Sequence, residues 1–152
     1  MVMGLYESFL YSFLATIAFA VLFQAPKRTL IISGVIGAIG WGVFVYLRQY
    51  LEYNSFHANF LATVALALIS ELSARMFKQP ATVFLIPGII PLVPGLGMYQ
   101  GMKQIIEKSY DNGVTTLLTA GTDSAAIALG IMVIASIFRV IKMSATKNFW
   151  TK

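Results

Sequence analysis

The stretch "FLIPGIIPLVPGLGMYQGM", Phe84–Met102, decides how this chain is read. It is apolar enough to lie in a membrane, yet it holds Pro87, Pro91 and Pro94 together with Gly88, Gly95, Gly97 and Gly101. On a helix the three prolines fall at i, i+4 and i+7, on one face. Each lacks an N–H and presses on the carbonyl four residues back. The carbonyls of Val83, Pro87 and Ile90 are therefore expected to lose their helical partners. A bare backbone group in lipid is expensive, so this face has to meet protein, water or a ligand. A proline-kinked packing helix is the plain alternative. Three prolines and four glycines within 19 residues favour a functional break. A half-helix starting after Pro94 would present free N–H groups at membrane depth, a setting suited to a carboxylate. Discontinuous helices of this kind hold substrate in many transporters.

The rest of the chain agrees with a membrane setting. Of its 152 residues, 58% are hydrophobic and only 11% charged. Soluble domains carry about 25% charge. Mean hydropathy is +0.78. The net charge of +5 is no nucleic-acid signal, because the basic residues sit at the ends of apolar runs. There is no cysteine and one histidine, His57, so disulfides, thiolate metal sites and histidine-rich metal sites are all excluded. His57 lies at the outer start of a span and reads as a bland interfacial residue. The first basic residue is Lys27, which does not fit the positive start of a secretory signal. The first apolar run is expected to be retained.

A bilayer core of about 30 Å needs roughly 20 helical residues. Five stretches qualify: Leu5–Gln24, Thr29–Leu47, Ala58–Met76, the broken Thr82–Met102, and Thr115–Ile141. The expected architecture is an all-α integral membrane protein, one transmembrane domain over residues 1–152, with the fourth span broken. Connections are short and no repeat divides the chain. "KQIIEKSYDNG", Lys103–Gly113, is amphipathic and is expected to lie along the outer interface as a short helix, ending in the turn signal "DNG".

Acids inside spans are candidates for chemistry by default. Asp123 lies in "TTLLTAGTDSAAIALG", on a small and polar stripe with Thr115, Thr119, Ala126 and Gly130. Two readings stand: a substrate or proton-relay group, or a carboxylate solvated near the outer surface. Glu71 shares a broad face with Asn59, Thr63, Ala67, Ser70 and Ala74, and Arg75 follows at i+4. A structural Glu71–Arg75 ion pair is the leading reading there, and proton coupling the other. Glu7 is expected at the outer interface. In the second span, Gly34, Gly37, Ala38 and Gly42 make a small-xxx-small face for packing against another helix, in this chain or in another. Trp41 and Trp150 read as core or interface anchors. No hydrolase motif and no phosphate loop appears, so the chain is not expected to be an enzyme or to hold a cofactor.

At "IPGIIPLVPGLGMYQGM" the sequence resembles the threonine/serine exporter family. It looks most like the small subunit of the split form, equivalent to the C-terminal membrane half of the single-chain exporters. The signature P-x-x-P-G-x-x-x-Y reads here as Pro91, Pro94, Gly95 and Tyr99. The basic connection "QAPKR", the glycine-rich "GVIGAIGWG" and the acidic, threonine-rich fifth span agree with it. The resemblance covers essentially the whole chain. It implies ion-driven export of small hydroxy amino acids and a larger partner subunit supplying the other membrane half. It places the protein in a bacterial inner membrane. Small dicarboxylates such as succinate, a homo-oligomer, and a non-transporting assembly role remain open. The candidate substrate-binding residues are Pro87, Gly88, Pro91, Pro94, Gly95, Tyr99, Thr119 and Asp123, with Asp123 and Glu71 as candidates for proton coupling. No metal and no nucleic-acid partner is expected.

Charge sets the expected topology. Lys27, Arg28, Arg75, Lys78, Arg139, Lys142, Lys147 and Lys152 fall on one side of a five-span chain, and only Arg48, Lys103 and Lys108 on the other. The positive-inside rule puts the N-terminus out and the C-terminus in. If the fourth segment dipped in and returned, the tail's basic residues would change sides and the bias would nearly vanish. A reporter fused after Lys152 should be active only as a cytoplasmic reporter, and activity on the outer side would contradict the five-span chain.

Overall fold

A computed structural model describes the backbone of residues 5–147 and the side chains of residues 6–141. Trp150 and Lys152 lie outside the described residues. The chain is helical: α1 is Leu5–Leu22, α2 Leu30–Gln49, α3 Ser55–Phe77, α4 Thr82–Ile89, α5 Gly95–Ile106 and α6 Tyr110–Lys147. Short 3-10 turns at Lys27–Thr29 and Ile90–Leu92 precede α2 and follow α4.

The helix ends follow local chemistry. Pro26 opens the turn before α2, and Thr29 Oγ1 donates to its carbonyl at 2.8 Å. Asn54 caps α3, its side-chain oxygen accepting from the His57 N–H at 3.1 Å. The His57 ring Nδ1 lies 3.1 Å from the same oxygen. Lys78, in the left-handed conformation at φ 52°, ends α3, and Pro80 follows.

α2 is the hub, touching α1, α3 and α4, while α6 packs on α3 and α5. The core gathers Ile36, Leu66 and Phe84, each at most 1% exposed. Glycine makes the approach possible. A Cβ on Gly34 would meet Ile17 at 2.7 Å, and one on Gly37 would run into the Thr16 side chain. Gly42 faces Phe9, and Ala38 is buried. The small-residue face of α2 therefore packs on α1 within this chain. Ser12 Oγ donates across that seam to the Gly37 carbonyl at 3.1 Å.

α3 and α6 run parallel. Ser55 meets Asp123, Thr63 meets Gly130, and the Arg75 guanidinium lies 4.7 Å from the Phe138 ring centre. Two parallel neighbours require the chain between them to return the full length. α4 and α5 do so, with a 41° bend at the break. The broken segment therefore runs the length of the bundle. Among the described residues, three helical segments are long and apolar enough to cross a membrane: Lys27–Gln49, Ser55–Phe77 and Tyr110–Ile141. The bent pair is a fourth if its two helices count as one span, while α1 is apolar but shorter.

Several expectations are corrected. Lys103–Gly113 is no separate helix. It divides between the end of α5, a turn around Lys108 at φ 63°, and the start of α6. "DNG" is not a turn but helix. A Cβ on Gly113 would lie 2.9 Å from the Gly101 carbonyl and 3.0 Å from the Ile105 nitrogen, so this glycine serves a close helix crossing. Gln104 Oε1 accepts from Thr116 Oγ1 at 2.9 Å and ties the same hairpin. Glu71 and Arg75 form no ion pair, because Arg75 lies over Phe138 instead.

These contacts separate two glycines on one helix. Gly113→Ala pushes a methyl onto unyielding backbone and should cost about 1–3 kcal/mol. Gly121→Ala meets nothing within 4 Å and should be neutral, or stabilising by up to about 1 kcal/mol through helix propensity. Thermal unfolding midpoints in detergent check the pair; equal shifts would refute the hairpin crossing.

Candidate functional site

The break is built by its prolines. Pro87 lies inside α4, and Pro91 heads the 3-10 turn. Val93, the residue before Pro94, is extended at φ −61° and ψ 128°, as a residue preceding proline prefers. Pro94 then stands as the N-cap of α5 with no side-chain hydrogen bond to the helix end. The first N–H groups of α5 thus lack a capping side chain. The Ile90 carbonyl, expected to be bare, accepts from the Val93 N–H at 3.2 Å, because the tightened turn recovers it. The Gly95 N–H donates to the Val93 carbonyl at 2.8 Å.

Beside the break lies a cavity of about 220 Å³. Trp41 and Phe44 of α2, Asn59 of α3, Pro91–Pro94, Leu96 of α5 and Asp123 of α6 line it. Asp123 is 7% exposed. Its Oδ2 accepts from Ser55 Oγ at 2.6 Å, and Asn59 Nδ2 donates to Ser55 Oγ at 3.4 Å. Asp123 Oδ1 and Asn59 Oδ1 are buried without a hydrogen-bond partner. Bare acceptors in a buried place are costly, and each one asks for a ligand or water.

Of the candidate residues, Pro91, Pro94 and Asp123 come together at this cavity. Gly95 is next to it, but its Cα faces open space. Pro87 and Gly88 are buried in the helix packing, with Gly88 against Leu66 and Gly37. Tyr99 is 66% exposed on α5. Thr119 is exposed and donates to the Thr115 carbonyl of its own helix at 2.9 Å. The polar stripe of α6 divides here for a simple reason. α3 begins at Ser55, level with Asp123, so Asp123 and Gly130 meet α3 while Thr115 and Thr119 extend past its start. Glu71 lines a different cavity at the other end of α3, about 610 Å³, with Arg75, Gln79 and Arg139.

Ser55, Phe44 and the lining role of Asn59 and Trp41 were not singled out from the sequence. Ser55 and Asn59 stand at i, i+4 on the first turn of α3, a spacing that puts both on one face. That signal was available, but only the fold brings Asp123 opposite. Trp41, read as an anchor, lines the cavity beside Phe44, their ring centres 5.1 Å apart.

Comparison with known proteins points the same way. The family model described as "Threonine/Serine exporter, ThrE" matches residues 8–137. A curated relative, the threonine/serine exporter of Corynebacterium glutamicum, is 30% identical over 115 residues. The match covers 76% of this chain but only 23% of the relative, so the chain corresponds to under a quarter of that protein's length. No solved structure matches. With a helical bundle of several apolar helices and a family match over most of its length, the chain belongs to the threonine/serine exporter family.

Proposed function

We propose that this chain is a membrane subunit of a secondary exporter of small amino acids of the threonine and serine type. The observation that carries the reading is the cavity where the broken segment and Asp123 meet. The uncapped start of α5 offers N–H groups and the positive end of a helix dipole to a substrate carboxylate. Asp123 supplies a negative charge on the opposite wall, to be answered by the substrate or by a coupling ion. The buried carboxylate beside the cavity supports ion-gradient drive.

In this reading the chain crosses a bacterial inner membrane five times, with α1 as a short first span, the N-terminus out and the C-terminus in. A larger partner subunit supplies the remaining transport machinery; the much greater length of the curated relative supports this. A homo-oligomer is the alternative assembly. Dicarboxylate export and a purely structural role are the competing functions.

The test is efflux from proteoliposomes holding the chain with and without its partner, using labelled threonine, serine and succinate. Asp123→Asn removes a charged hydrogen-bonding group and should slow amino-acid efflux about 10–100-fold. Thr119→Val should stay within about twofold, since exposed substitutions usually cost about 0.5 kcal/mol. Equal rates for wild type and Asp123→Asn would refute the site, and succinate efflux without threonine or serine efflux would refute the substrate class.

A further inference from the structure

The polar groups around Asp123 have a definite direction. Ser55 has one hydroxyl hydrogen, and the 2.6 Å contact commits it to the carboxylate. Asn59 must then offer an N–H to Ser55, which turns its amide oxygen away from Ser55. What remains without a partner is a pair of acceptors, Asp123 Oδ1 and Asn59 Oδ1. The two residues are 7% and 2% exposed, and both line the cavity. Among the described residues no Lys, Arg or His lines it. The carboxylate therefore lies beside the cavity with no counter-charge among the lining residues. Trp41 and Phe44 complete the lining, and aromatic faces attract cations.

We propose that Asp123 Oδ1 and Asn59 Oδ1 form a cup for a small monovalent cation: the ammonium group of an amino acid or an inorganic Na+. One carboxylate and one neutral amide match a single positive charge. A divalent ion would need more oxygens or more negative charge than this wall provides. Ser55 is a positioning residue. It holds Oδ2, so that Oδ1 is the oxygen left without a partner. The assignment rests on reading this cavity as the transport site, and it deepens that reading by naming the charge that the site takes.

Trp41 gives a direct readout. In the full chain carrying Trp150→Phe, Trp41 is the sole tryptophan. Its fluorescence is titrated in detergent with methylammonium chloride and with NaCl, the ionic strength held constant by N-methyl-D-glucamine chloride. A saturable change with at least one of the small cations is expected. Methylammonium alone assigns the cup to the substrate's amine, Na+ alone to a coupling ion, and both to a cup shared by either. Asp123→Asn and Asn59→Leu should each weaken the response about 10-fold or more. Ser55→Ala should weaken it about 2–10-fold, and Ser55→Thr should restore it. If Asp123→Asn fails to fold, the Ser55 pair and Asn59→Leu carry the same test. Absence of any saturable response in the folded wild-type chain overturns the proposal. So does an Asp123→Asn chain of native helical content that titrates like wild type. Saturable cation binding in a chain that exports no amino acid would refute the exporter reading and leave the cup standing.

Discussion

A backbone carbonyl or N–H without a partner is far more expensive in a lipid-filled environment than in water. The region from Pro87 to Gly95 is organised by that constraint. Proline at 87, 91 and 94 removes three helical donors from one apolar segment. The chain answers part of the loss by tightening Ile90–Leu92 into a 3-10 turn, where Val93 returns a hydrogen bond to Ile90. It answers the rest by enclosing the break among α2, α3 and α6. The uncapped end of α5 and the residues that carry the bare oxygens, Asp123 and Asn59, then border one cavity.

Close packing places the break where it is. Gly34 and Gly37 bring α1 onto α2, and Gly40 brings α2 within reach of Leu66 on α3. Gly130 allows α6 to lie on Thr63 and Phe60, which sets the register that puts Asp123 opposite Ser55. The parallel course of α3 and α6 forces α4 and α5 to return along the bundle, so that the break falls at the level of the buried carboxylate. The two cavities at opposite ends of α3 differ in chemistry. One is lined by a single acid, an amide and aromatics, the other by Glu71 with two arginines.

The helical class and the break at Pro94 could be read from the sequence because both depend on local chemistry. Hydrophobic length marks the apolar helices, and proline marks the break. α5 starts at Gly95 as expected. The five spans expected from hydrophobic length differ from the helices in two places: α1 is shorter than a full span, and the fourth segment is two helices bent by 41°. What could not be read depends on register between distant helices. Asp123 was visible as a buried acid, but its partner Ser55 lies 68 residues away. Tyr99 and Thr119 share a sequence stripe or signature with the site, yet they face outward, because α5 and the start of α6 extend past the beginning of α3. Gly113 was misread as a turn because a glycine needed for close approach and one needed for a turn look alike in sequence. Arg75 turned to Phe138 rather than Glu71 because an aromatic ring on the neighbouring helix lay within reach.

The central claim is that substrate occupies the space between the broken segment and Asp123. The chain contains no cysteine, so a single introduced thiol reports without interference. Val93 lines the cavity and is 46% exposed, whereas Tyr110 is 60% exposed at the far end of the α5–α6 hairpin. The most direct measurement is the alkylation rate of Val93→Cys in membranes, with and without excess threonine, beside Tyr110→Cys. The account predicts that threonine slows labelling at position 93 and leaves position 110 unchanged. Equal labelling at position 93 with and without threonine, serine or succinate would contradict it.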